Sequence, residues 1–155
     1  MMELTSLEGR RPENVCEIGL VTLMYVSRSS LSLKGDYEAI EDIVQTAVPH
    51  NVKIQVTGAL IYTEVHFAQV LEGPRAAVHK LMQSIGRDRR HSDVTVVSQH
   101  RIRNRRFGSW SMAYNGPSPY LDRHVKPLVA GSYLPRQGEE TVERLFSNIK
   151  RLYDR

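Results

Sequence analysis

The chain has 155 residues, 41% hydrophobic and 25% charged, the proportions of one globular domain with its own core. No apolar run is long enough to cross a bilayer, Met1 to Asn14 lacks the apolar stretch of a secretory signal, and the single cysteine, Cys16, excludes an internal disulfide. A cytoplasmic protein is the expectation. The formal net charge of +4 gathers in "RDRRH", Arg87 to His91, and "HRIRNRRF", His100 to Phe107; such runs usually form solvated edges. The six histidines are not set against Cys or acidic residues at zinc-site spacing, so no metal is expected.

"GLVTLMYVSR", from Gly19 to Arg28, reads as a strand. Val21, Leu23, Tyr25 and Ser27 fall on one face and Leu20, Thr22, Met24 and Val26 on the other. After the loop "SSLSLKG", Asp36 is placed to cap a helix whose apolar positions Ile40, Ile43, Val44, Ala47 and Val48 recur at helical spacing, and Pro49 is expected to stop it. A strand from Ala59 to Tyr62 follows, then a turn at "TEVH" and a strand containing "HFAQVLEGP". Gly73-Pro74 opens a second helix with a buried stripe of Val78, Leu81, Met82 and Ile85. A strand from Val94 to Ile102 and a shorter one around Trp110 to Tyr114 complete the core.

The result is an α+β, ferredoxin-like βαββαββ sheet with two helices on one face. The space between those helices is a natural ligand slot. Downstream, "NGPSPY" leads to a short helix near Leu121 to Val125, "VAGSYLPRQG" reads as a linker, and a helix beginning near Glu139-Glu140 carries the stripe Val142, Leu145, Phe146, Ile149, Leu152 and Tyr153. That stripe needs a surface, either the open sheet face or a second copy of the chain. The expected organisation is an N-terminal extension at 1–17, a core domain at 18–116 and a C-terminal helical region at 117–155.

Gln69 is the residue out of place. It stands among Phe67, Ala68, Val70 and Leu71 on a strand with two apolar faces. A buried amide without partners costs roughly 1–3 kcal/mol, so Gln69 is either a structural amide bonded to backbone or water, or one that faces a ligand. No GxGxxG, P-loop, Ser-His-Asp or Cys-His arrangement is defensible from order and spacing.

Five segments, "LMYVSRSS", "HNVKIQVTGALIY", "FAQVLEGP", "IGRDRRHSDV" and "RRFGSWSM", resemble in order and spacing the BLUF domains, blue-light sensors that use FAD. The resemblance spans Gly19 to Tyr114. It implies a non-covalently bound FAD whose ring lies between the two helices, with Tyr25 and Gln69 in a hydrogen-bonded set. It implies that His50 and Asn51 contact the flavin, an asparagine amide suiting a neighbouring carbonyl and N–H; the alternative for Asn51 is a helix terminator. Asp88, Arg90 and His91 would line the ribityl and ring end, while Arg87 and Arg89 keep the solvated reading. Trp110 and Met112 match the family's mobile pair, and alternation would put both on one face. Two departures stand out: Ala47 occupies a position where several relatives have serine, and Pro49 directly precedes His50.

The resemblance also implies a photosensor without an attached catalytic domain, in which Tyr25 gives up an electron and a proton and Gln69 rearranges. Output would pass to an unidentified protein partner or through homo-oligomerisation. An RNA-binding module on the same βαββαβ frame would need aromatic residues in its strand motifs, which are absent. A flavin or acyl-phosphate enzyme would need a nicotinamide motif or a nucleophile, and neither is visible.

Overall fold

A computed structural model describes residues 19–31, 37–108, 110–115 and 117–153. The N-terminal extension, with Cys16, and the proposed cap Asp36 lie outside the described residues, as do the side chains of Leu152 and Tyr153.

Five strands form one sheet: β1 (Leu20–Ser29), β2 (Thr57–Tyr62), β3 (His66–Pro74), β4 (His91–Arg101) and β5 (Ala113–Asn115). Their spatial order is β4-β1-β3-β2-β5. The first four pair antiparallel in the ferredoxin-like arrangement, and β5 adds parallel to β2, with Ala59 opposite Ala113. β3 is thus central, and Tyr25 of β1 stands directly across from Gln69 of β3.

Two helices, α1 (Tyr37–Ile54) and α2 (Arg75–Arg87), cover one face of the sheet. Ile40 and Val44 of α1 pack on Leu60, Phe67 and Tyr114, and Val78 of α2 packs on Val21, Leu23 and Leu71. The other face carries α3 (Asp122–Val129), preceded by a 3-10 turn at Pro119–Leu121, and α4 (Pro135–Tyr153). Val125 and Leu128 of α3 and Val142, Leu145, Phe146 and Ile149 of α4 join Met24, Val26, Ile61, Ala68 and Val70 in one core. The C-terminal stripe therefore covers the sheet of its own chain. His66 at the start of β3 holds the start of α3 through Asp122, at 2.7 Å.

Several boundaries differ from the sequence expectation. α1 does not stop at Pro49 but runs through it to Ile54. A proline inside a helix leaves the carbonyl of residue i−4 without its partner, and Pro49 is solvent-exposed, so water can reach that side of the helix. The terminator is Gln55, at a positive φ of 62°, followed by the return bond from Val56 N to Asn51 O at 2.9 Å. His50 and Asn51 are consequently helical residues. Pro74 caps α2 from outside, with extended backbone, instead of occupying its first turn. β4 begins at His91, earlier than the apolar run suggested. α3 extends to Val129, and α4 starts at Pro135, inside the segment read as a linker.

Candidate functional site

Between α1 and α2, above β1 and β3, lies a cavity of about 280 Å³, near the lower end of the roughly 300–1,000 Å³ typical of small-molecule sites. Its walls are apolar side chains such as Ile43, Leu60, Phe67, Leu81 and Ile85, with polar groups set among them. Tyr25, His50, Asn51, Gln69, Asp88, Arg90, His91 and Met112 all line this one space. Of the residues singled out in the sequence, only Trp110 does not.

The floor is the Tyr25–Gln69 pair. The phenol donates a short hydrogen bond to Gln69 Oε1, and Gln69 Nε2 donates to Met112 Sδ at 3.4 Å. Both residues are buried, at 4% and 6% exposure. Burial, reinforced by the negative charge of Asp88, pushes the Tyr25 phenol well above its usual range. Tyr25 is thus held as a neutral donor. The amide that looked costly in the sequence has both ends engaged.

Asn51, 1% exposed, reaches from α1 to donate from Nδ2 to Ser111 O at 2.9 Å. His50, one residue earlier, is exposed at the cavity rim. Ala47, which stands where several relatives have serine, borders the cavity, and the adjacent hydroxyl in the wall belongs to Thr46. His91 is fixed at both ring nitrogens: Nε2 donates to Ile85 O, and Nδ1 shares a hydrogen bond with Ser27 Oγ, at 2.8 Å. Its ring stands edge-on to Tyr25 and Phe67, with centroids 6.2 and 6.1 Å away. At the rim, Arg90 Nε bonds both oxygens of Asp88, at 2.9 and 3.1 Å. The hydrogen bonds and charge of Arg90 hold the Asp88 carboxyl below its usual range, and Asp88 raises the guanidinium in turn. Arg87 and Arg89 are exposed, as the solvated reading expected.

The segment before β5 departs from the alternation read in the sequence. Regular strand begins only at Ala113, and residues 110–112 follow no even pleat. Met112 packs with Leu60, Phe67 and α1 on the cavity face, whereas Trp110 packs with Phe107 and α4 on the opposite face. Trp110 O accepts from Gly58 N at 3.0 Å. A Cβ on Gly58 would lie 2.0 Å from Val70 O, so glycine is required there by the close approach of β2 to β3. The wall residues Thr46 and Ser84 were missed by the sequence reading; each is a lone hydroxyl on a helix, and a helix face alone does not reveal its neighbour.

An apolar slot with amides at its floor and a cation at its rim fits a planar heteroaromatic ring that offers carbonyl and N–H edges and carries a charged tail. Comparison with known proteins identifies that ring system. Residues 20–113 match the family model for BLUF, sensors of blue-light using FAD. The chain is 35% identical over 95 residues to photoactivated adenylate cyclase subunit beta of Euglena longa, covering 60% of this chain and 11% of the relative. It is 34% identical over 93 residues to the blue light- and temperature-regulated antirepressor BluF of Escherichia coli K12, covering 60% and 23%. The dark-state structure of BlrB, a BLUF protein, superposes with a TM-score of 0.70 at 32% identity, covering 86% of this chain and 96% of that one. The chain belongs to the BLUF family, and residues 20–113 form its FAD-using, blue-light-sensing domain. It spans only about a tenth to a quarter of the length of those two curated relatives.

Proposed function

We propose that this protein is a blue-light photoreceptor in which Tyr25 is the electron and proton donor, Gln69 the switching amide and Met112 its first reporter. The observation that carries this reading is the continuous chain from Tyr25 to Gln69 to Met112 along the floor of the cavity. Asn51, His50, His91 and the Asp88–Arg90 pair would hold the FAD. Bound flavin supplies blue-light absorption and an excited state able to accept an electron.

The rest of the chemistry belongs to the chain. A buried phenol with a raised pKa does not lose a proton on its own in the neutral range. Losing an electron makes it strongly acidic, so electron and proton leave together. On the way out the proton crosses Gln69 toward the group that took the electron, and both return to Tyr25 when the charges recombine; its entry point is Gln69 Oε1. In the resting state that oxygen accepts from Tyr25 while Nε2 donates toward sulfur. A tyrosine oxygen without its proton can only accept, which favours an amide rearranged to point Nε2 at Tyr25. Met112 sulfur has no N–H or O–H to donate, so the rearranged amide loses its bond to Met112. One photochemical event thus becomes a mechanical release at residue 112.

Output passes to a separate protein partner or through self-association of the chain, with 117–155 as the output region. No helix among the described residues is long and apolar enough to cross a membrane. No group of His, Cys, Asp and Glu among them could hold a metal ion.

The test is the absorption spectrum of FAD-loaded protein in darkness, under blue light and through dark recovery. A small reversible red shift is expected, and it should vanish in Gln69→Leu while flavin stays bound. A normal shift in that variant would remove Gln69 from the mechanism.

A further inference from the structure

Glu72 is a carboxylate in the middle of the molecule. It lies on β3, wholly buried, on the face shared with Ala68 and Val70. Burial pushes its carboxyl upward, against the opposing pull of the Phe107 and Arg106 backbone N–H groups and of two arginine charges. Oε2 accepts from Arg106 N at 2.8 Å and Phe107 N at 3.2 Å. Oε1 has no hydrogen-bond partner, and Arg106 Nε lies 3.7 Å from it. The guanidinium of Arg106 also reaches Glu143 on α4 through a short charged hydrogen bond. A buried ion pair of this kind is usually no more stabilising than a well-packed apolar residue. Its value lies in fixing geometry, here the 105–107 turn against β3.

The position of that turn gives the geometry a purpose. The segment 105–112 is held to β3 at both ends: Arg106 and Phe107 by Glu72, and Met112 by Gln69. Gln69 and Glu72 are three positions apart on one strand and project to opposite faces of the sheet. The Phe107 ring lies 6.2 Å edge-on from Phe146 of α4 and 5.8 Å from Trp110. Phe107 and Trp110 therefore lie on the α4 face and Met112 on the cavity face.

We propose that Glu72 is the fulcrum of this segment and that the Glu72–Arg106–Glu143 bridge couples Gln69 to α4. The proposal rests on the photoreceptor reading above. When Gln69 releases Met112, the cavity end of the segment shifts, the backbone at Arg106 and Phe107 pivots on its bonds to Glu72, and their side chains carry the rotation to α4 through Arg106–Glu143 and Phe107–Phe146. Glu72 and Arg106 are positioning residues; neither touches the cavity.

Amide hydrogen exchange of α4 tests this, measured on the full FAD-loaded chain in darkness and under blue light beside the absorption shift. In the unsubstituted protein, illumination should change exchange across 135–153. Glu143→Gln removes the distal charge from a half-exposed position without touching the core; it should keep the full red shift but lose most of the light-dependent change in α4. Glu140→Gln is the control, since it breaks the Arg136–Glu140 pair, 3.4 Å apart within α4 alone, and should leave the change intact. The coupling is overturned by an undiminished α4 response in Glu143→Gln, by equal loss in the Glu140→Gln control, or by a red shift with no α4 response in the unsubstituted chain. Absence of the red shift itself would instead overturn the photoreceptor reading, and the coupling with it.

Discussion

On β1 and β3, odd-numbered residues look onto α1 and α2 and even-numbered residues onto α3 and α4, yet the two faces are packed to different ends. The α3/α4 face is one uninterrupted core in which Phe107, Phe146, Val125 and Val142 are essentially inaccessible. The α1/α2 face is split into two clusters, one under each helix, and the cavity lies in the gap. A sheet sealed on both faces would be more stable but could bind nothing. This chain concentrates cohesion on one face and leaves the other incomplete.

Stability changes should differ most between the faces. Phe146→Ala deletes a fully buried ring and should cost about 3–5 kcal/mol in denaturant unfolding. Ile43→Val, at the cavity wall, should cost at most about 1.5 kcal/mol and register chiefly as weaker FAD binding. Comparable losses from the two would erase the distinction between a closed and an open face.

Spectroscopy sharpens the contrast within a single segment. Tyr25→Phe removes the donor and should abolish the ordinary photocycle. Met112→Ala removes the sulfur beside Gln69 and should shift the dark flavin spectrum and alter recovery. Trp110→Phe, on the opposite face, should leave the dark spectrum unchanged. A dark spectrum sensitive to Trp110 and indifferent to Met112 would contradict their placement.

Titration distinguishes core from rim. Tyr25 and Tyr114 both have phenols raised chiefly by burial. A phenol whose folded pKa exceeds its unfolded value of about 10 contributes stability that is complete below that pH and is lost as pH rises through the folded value. Stability should therefore fall above about pH 10, with tyrosinate absorbance from these two residues appearing late. Asp88 is shifted the other way by Arg90, so its contribution is complete above the unfolded pKa of about 3.9 and disappears as pH falls below it. The smallest effect is expected from Asp88→Asn: the pair is partly exposed, and such pairs are worth about 0–1 kcal/mol. Its consequence should be looser FAD binding at unchanged melting temperature.

Much of the site was legible because its signals are local. Strand alternation put Tyr25 with Leu23 and Val21, and isolated Gln69 as an amide among apolar neighbours; the structure then places the two directly opposite each other. The apolar stripe of the last helix announced a buried face before any partner for it was visible. Glu72 gave a comparable signal, an acid within an apolar strand, but nothing nearby in sequence names its partners, which come from 106, 107 and, through Arg106, 143.

Periodicity along the chain determined the helices, the strands, the ferredoxin-like order and the setting of Tyr25 and Gln69 among apolar neighbours, because each depends on residues within a few positions; the other cavity residues were indicated only by the resemblance to BLUF domains. Tertiary structure alone decided that α1 passes through Pro49, since helix continuity there depends on which side of the helix meets water. It alone sent Trp110 and Met112 to opposite faces, because the turn between them is set by Gly58 and Asn51, more than fifty residues earlier in the chain. It also chose the sheet of the same chain as the surface for α4: a helix fixes which of its faces is apolar, but only the assembled sheet offers the complementary surface that removes that face from water.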